Sequence, residues 1–240
     1  MYKTRPYNIY PCGDHAVTIG YGNTIDDDVN AHVLRLFSRL KQQNITGVLD
    51  IIPAYSSITV VYDVGLVKKA FPNTTAYNSI AQILNKMEEQ PDAVEGTETG
   101  KLVRIPVCYD ATLGIDLQEV ARQKKLPPQT IVQLHTSKTY RVFMLGFLPG
   151  FAYMGTVDEQ LATPRLSTPR TNVKQGSVGI AGKQTGIYPY ESPGGWNIIG
   201  QTPVKMFDVN RPVAALLQPG DSVQFYPITM QEFENIKASQ

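Results

Sequence analysis

The chain has 240 residues, 42% hydrophobic and 18% charged, which allows one large or two ordinary domains around a sizeable core. Its 22 basic and 21 acidic side chains leave a formal net charge of +1, so there is no electrostatic case for a nucleic acid or an anionic membrane as partner. The two cysteines, Cys12 and Cys108, form no metal-type cluster and suit a reducing compartment. No apolar core of signal-peptide type and no run of ~20 apolar residues is seen, so a cytoplasmic protein is expected.

In chain order, Tyr7–Tyr10 and Ala16–Ile19 read as strands with turn residues Pro11–Asp14 between them. Thr24 is placed to cap a helix whose start is favoured by Asp26, Asp27 and Asp28, with Val29, Val33, Leu36/Phe37 and Leu40 at helical spacing. Strands Val48–Ile52 and Ile58–Tyr62 follow, then an amphipathic helix over Ser79–Glu89 with Ile80, Ile83/Leu84 and Met87 on one face. Together these predict a small α+β domain over residues 1–95. The acidic, breaker-rich QPDAVEGTETG over Gln90–Gly100 is the expected boundary.

A second domain, residues 100–240, opens with a strand over Lys101–Tyr109. Asp116 with Glu119 suggests a capping box for a helix through Arg122, and Pro127–Pro128 start another that carries Ile131, Val132 and Leu134. Past Thr139, short β-branched or aromatic runs alternate with Gly/Pro turns: YRVFMLGF, SVGIA, GIYPY, NIIG, VKMFD and DSVQFYP. Such a pattern predicts a closed or nearly closed β-barrel.

The chemistry-bearing residues concentrate between Leu145 and Gly200. GSVGIAGKQTG is not a phosphate loop, because Ser177 and Gln184 stand where Gly and Ser/Thr are needed; a tight hairpin fits better. Arg165 and Arg170 each follow a proline, in TPR-LS-TPR. They suit bidentate capture of a carboxylate or phosphate, or else bridge loops at a rim. Phe151 and Tyr153 lie beyond a Pro149–Gly150 turn, where they either line a groove or close the end of the barrel. Pro193–Gly194 suits a type II turn. Trp196 after it either anchors that turn in the core or forms a ligand platform with Asn197 and Tyr188. Lys183 and Glu191 are a weak acid/base pair across the GIYP hairpin. Of the three histidines, His32 reads as solvated, His15 follows a turn aspartate, and His135 is the best general-base candidate. No metal site is suggested.

The segments PCGDHAV, DIIPAYSSITVVYD and IPVCYD, and above all LGFLPGFAYMG…PR…PR…GSVGIAG and QTGIYP…SPGGWNIIG, resemble one family from about Pro11 to Pro227. It comprises the B subunit of 5-oxoprolinase (PxpB), the kinase inhibitor KipI and allophanate hydrolase subunit 1. The resemblance implies an α+β N-terminal domain followed by a mostly-β, cyclophilin-like barrel. It also implies a component, inactive on its own, of an ATP-dependent complex that opens 5-oxo-L-proline to L-glutamate. The partners so implied are the A and C subunits of 5-oxoprolinase, the latter homologous to this chain. The family's other activities imply two alternatives: inhibition of a sensor histidine kinase, or part of a biotin-dependent carboxyltransferase. On this reading Arg165, Arg170, Lys183 and His135 are candidates for catalysis, and Tyr153, Tyr188, Trp196 and Asn197 for substrate binding. ATP is used by the complex, and no metal or prosthetic group is expected in this chain.

Overall fold

A computed structural model describes residues 5–90 and 100–239. The chain divides into two compact units, residues 1–99 and 100–240. Residues 91–99 of the expected boundary segment lie outside the described residues.

The first unit runs β1 (Asn8–Pro11), β2 (Ala16–Gly20), α1 (Asp27–Gln42), β3 (Val48–Pro53), β4 (Ser57–Tyr62), α2 (Val64–Ala70) and α3 (Ala76–Glu89). Its strands form one antiparallel sheet in the order β1-β2-β4-β3. Val33, Leu36 and Leu40 of α1 and Ile80, Leu84 and Met87 of α3 share a core with Val17, Ile19, Ile58 and Val60 of the sheet, as their spacing requires. The cap of α1 is Asp26, whose side chain accepts from Val29 N, and not Thr24: the residue directly before the helix is the one within reach of a free first-turn amide. α3 begins three residues before the expected Ser79, because Thr75 caps it through Asn78 N. Helix α2 has too little apolar periodicity to stand out in sequence; Asp63 caps it and Val67 alone is buried. His32 is not solvated. Its Nε2 lies 3.1 Å from both oxygens of Glu88, which also accepts from Tyr21 Oη at 2.6 Å.

The second unit runs β5 (Leu102–Cys108), α4 (Leu117–Lys124), α5 (Pro128–Thr136), β6 (Thr139–Leu145), β7 (Ala152–Gly155), β8 (Arg170–Val173) and β9 (Ser177–Ala181). It continues with β10 (Gln184–Ile187), β11 (Ser192–Gly194), β12 (Asn197–Gln201), β13 (Ser222–Ile228) and α6 (Met230–Ala238). Seven strands close into a barrel in the order β10-β7-β6-β13-β5-β12-β9; β5 and β13 run parallel. β8 and β11 form a separate two-stranded ribbon.

Several local expectations change here. Asp116 makes no capping contact, since its carboxylate is taken by Arg170 and by Ile198 N, while Glu119 pairs with Arg122 instead. VKMFD is not a strand; its only pairing among the described residues is the bridge from Phe207 to Ala215. Ser192–Gly194 is a strand and not a type II turn, because Gly194 pairs with Arg170 and lacks the positive φ that turn demands. GKQ does form the tight hairpin between β9 and β10, with Gly182 at φ +58.

Alternation along these strands explains where a site can form. Ala152 and Met154 of β7, Val178 and Ile180 of β9, Ile187 at the end of β10 and Ile199 of β12 point into the barrel core. Their neighbours Phe151, Tyr153, Tyr188 and Ile198 point the other way and join Trp196 in a second, largely aromatic cluster on the outside of the barrel. That is why these strands read as continuous apolar runs: both faces are covered.

Candidate functional site, an aromatic cleft outside the barrel

The outer cluster surrounds a cleft of about 240 Å³. Its floor follows from strand register. Tyr153 pairs with Gly186, Gly186 with Gly179, and Gly179 with Ile198, so a row across four strands has two glycines at its middle. The absent side chains leave a trough, and Trp196 lies in it. A Cβ on Gly186 would sit 3.0 Å from Trp196 Cζ3, and one on Gly179 3.0 Å from Trp196 Cβ. Gly194 gives way in the same manner to Tyr188, whose Oη would be 2.3 Å from an added Cβ.

The walls are rings held edge to face. Phe151 is the hub, with Tyr153 at 4.8 Å, Tyr188 at 5.4 Å and Trp196 at 5.4 Å between centroids. Phe147 stands at the mouth, 59% exposed and at φ +66, with its ring against Phe151 and Tyr188. The turn behind it needs Gly150, at φ +83, because a Cβ there would come 2.8 Å from Phe207 Cβ.

One cation faces these rings. The Arg165 guanidinium lies 5.9 Å from the centroid of Trp196, within cation–π range. It makes no hydrogen bond or ion pair among the described residues. Its loop, by contrast, is firmly held. Thr163 bridges to Gly182, Leu166 N donates to Gly195 O at 2.8 Å, and Asn197 Nδ2 donates to Pro164 O at 2.8 Å. The result is an uncompensated positive side chain carried on a fixed loop beside an aromatic pocket. Burial pushes the phenols of Tyr153 and Tyr188 up; Arg165 pulls Tyr153 back, and a hydrogen bond with the Trp196 backbone, then Arg165, pulls Tyr188 back, so both stay protonated near neutrality and can donate hydrogen bonds.

The expected site residues therefore divide. Arg165, Tyr153, Tyr188 and Trp196 meet at the cleft, and Phe151 both closes the core and lines it. Trp196 answers to both readings offered by the sequence, being 4% exposed while presenting its ring to the cleft. Asn197 is buried and its amide is consumed by Pro164 O and Ile180 O, so it positions the Arg165 loop and does not face a ligand. Arg170 acts on the Tyr188 phenol as Arg165 does but does not line the cleft. One of its guanidinium nitrogens binds Asp116, which ties β8 to the start of α4, and its buried Nη1 has no hydrogen-bond partner among the described residues. Lys183 and Glu191 do not pair. Lys183 reaches Glu159 at 3.3 Å and Glu191 accepts from Asn172 at 2.9 Å, because the hairpin directs them to different neighbours.

His135 lies away from the cleft, fully buried in the barrel unit. Tyr109 Oη meets its Nδ1 at 2.7 Å, Thr185 Oγ1 meets Nε2 at 2.9 Å, and Phe225 stacks on the ring at 4.6 Å. Thr185 Oγ1 donates onward to Gly179 O, so it accepts from Nε2–H and leaves Nδ1 to accept from Tyr109. Burial lowers the imidazole pKa to about 3, which removes it from proton transfer near neutrality. Sequence reasoning missed Phe147 and the Gly179/Gly186 trough. The first was legible from its place just before Leu148-Pro149-Gly150; the second needed the register.

No group of three or more His, Cys, Asp or Glu among the described residues could hold a metal ion. No described helix is long and apolar enough to cross a membrane. The cleft offers a cation, two phenolic donors and apolar ring faces, a set suited to holding a small, flat, negatively charged molecule.

Comparison with known proteins agrees with this architecture. Residues 7–217 match the family described as carboxyltransferase domain, subdomain C and D. The chain is 38% identical to the B subunit of 5-oxoprolinase from Bacillus subtilis over 237 residues, 98% of each chain. The crystal structure of TTHA0988 superposes with a TM-score of 0.76 and 35% identity over 89% of this chain, which spans only 40% of that one. Urea amidolyase of K. lactis shares the fold, with a TM-score of 0.78 at 19% identity over all of this chain and 16% of its own. The chain belongs to the carboxyltransferase domain, subdomain C and D, family, together with the relatives named as the B subunit of 5-oxoprolinase.

Proposed function

We propose that this chain is the B subunit of an ATP-dependent 5-oxoprolinase complex and that its aromatic cleft takes 5-oxo-L-proline. The observation that carries the reading is the full-length 38% identity to the Bacillus subtilis protein of that name. The cleft chemistry supports it. 5-Oxo-L-proline is a flat five-membered lactam with one carboxylate. Arg165 would pair with the carboxylate, the ring would lie against Trp196 and Phe151, and the Tyr153 or Tyr188 phenol would donate to the lactam oxygen. Nothing among the cleft side chains can act as nucleophile or general base, so the chemical step would need a partner. The A and C subunits of the complex are the partners of this reading, and the barrel would be the cyclophilin-like one of the family. ATP would supply the activation that so stable an amide needs before water attacks.

The test is reconstitution with the A and C subunits, measuring ATP-dependent release of glutamate. Turnover should appear only in the assembled mixture. Arg165→Ala should lower kcat/KM at least about tenfold, the loss of one charge-assisted hydrogen bond, with assembly unchanged. Wild-type turnover by that variant would remove the cleft from the reaction; no turnover by an assembled wild-type complex would overturn the oxoprolinase reading. The family itself favours a second reading, a carboxyltransferase part fed by biotin on another chain. Biotin-dependent turnover of urea without glutamate release would select it.

A further inference from the structure

A second cavity, about 480 Å³, lies beyond the other end of the β8–β11 ribbon from the cleft. Three lysines line it: Lys174, Lys205 and Lys237. Elsewhere in the chain some exposed lysines find partners, while Lys69, Lys86, Lys125 and Lys138 have none among the described residues. Lys68 donates to Pro72 O and Thr74 O, Lys183 pairs with Glu159, and Lys41 with Asp50. Among the described residues the three groove ammonium groups have neither a hydrogen bond nor an ion pair; Lys237 rests only over the Phe233 ring, at 5.8 Å. The one carboxylate in the lining, Glu191, is held by Asn172. Asp208 is close enough to feel Lys205, but its oxygen accepts from Asn210.

These lysines do not belong to one solvated run. Each leaves a separately anchored element. Lys174 starts a turn closed by Ser177 N, and Gly176 beyond it is pressed so tightly that a Cβ would come 2.3 Å from Thr202 O. Lys205 precedes the buried Met206, and its carbonyl accepts from Arg211. Lys237 projects from α6, which Phe233 roots in the protein at 2% exposure. Gly176 N also donates to Tyr188 O at 2.7 Å, so the groove floor and the cleft wall are joined by one hydrogen bond.

We propose that this groove is a separate anion site for a phosphate or diphosphate group. Three point charges from three separate elements suit a compact, multiply charged oxyanion, whereas a single carboxylate would favour the planar fork of an arginine. Because the elements are anchored, binding has to order only the lysine side chains and not the backbone that carries them. The groove is distinct from the cleft and its occupation does not depend on what the cleft binds.

Calorimetric titration of the full chain with inorganic diphosphate, and separately with inorganic phosphate, tests it. Saturable one-to-one binding should weaken as salt is raised, because the groove is open to screening. Lys174→Ala and Lys205→Ala should each weaken diphosphate binding about tenfold, one charge-assisted contact apiece, while Arg165→Ala leaves it unchanged. The proposal is overturned by any of three results: no saturable binding at millimolar diphosphate in low salt, equal binding by the variant lacking all three lysines, or loss of binding in Arg165→Ala. Since the lysines are exposed, their removal should leave thermal unfolding unchanged, which a melting curve checks.

Discussion

The aromatic cleft and the buried cluster around His135 are built from similar parts: rings, phenols and one basic group. They differ in whether the protein itself satisfies that basic group. Around His135 both ring nitrogens are bonded, to Tyr109 and Thr185, and the ring is stacked on Phe225. At the cleft, Arg165 has a rigid loop and a tryptophan beneath it but no anion among the described residues. The two arginines of TPR-LS-TPR repeat the contrast at close quarters, with Arg170 neutralised by Asp116 and Arg165 left open. A titratable or charged side chain points to a ligand when its hydrogen-bonding capacity remains after folding, and to architecture when folding has used it.

This contrast can be broken in graded ways. The largest effect is expected for Trp196→Ala, which empties the trough over Gly179 and Gly186. It should destabilise the barrel unit by about 3–5 kcal/mol, read from urea unfolding, and remove the platform under Arg165. A loss below about 1 kcal/mol, on the order of an exposed-site change, would show that the ring belongs to the ligand surface alone.

Asp116→Ala should come next. It strands the Arg170 guanidinium and the Ile198 amide together, and a loss of about 1–3 kcal/mol is expected with ligand binding at the cleft preserved. Impaired binding without a stability change would move Arg170 back into the site.

The pH dependence set by His135 is small near neutrality and grows only as the solution becomes acidic. Its folded pKa, about 3, lies below the unfolded value of 6.5, so the unfolded chain takes up the proton first. The stability this group contributes is therefore complete above about pH 6.5 and is lost as pH falls towards about 3. Comparing unfolding midpoints at neutral and mildly acidic pH, His135→Gln should show a shallower loss than the parent chain. Parallel profiles would mean that the imidazole titrates freely.

Much of the architecture was legible because it depends on local periodicity. The α1 and α3 stripes, the Gly182 hairpin and the apolar runs of the barrel strands all stand in the sequence and all form. Capping was read less well. Asp116 has the right type and spacing for a box with Glu119, but a distant arginine and an amide on β12 compete for its carboxylate. Pro193-Gly194 has turn composition, yet pairing with β8 draws it into a strand.

The sequence by itself determined the concentration of aromatics, glycines and arginines between Leu145 and Gly200, the alternation that sends neighbouring residues to opposite faces, and the membership of the family. Only the tertiary structure decided which of those residues act together. Register across β7, β10, β9 and β12 aligned two glycines under one tryptophan, and long-range partners engaged Lys183, Asn197 and one nitrogen of Arg170 while leaving Arg165 open. The reason is physical: side-chain direction follows from bonds along the chain, but whether a charge or a donor is already satisfied depends on residues brought near it from far away in sequence.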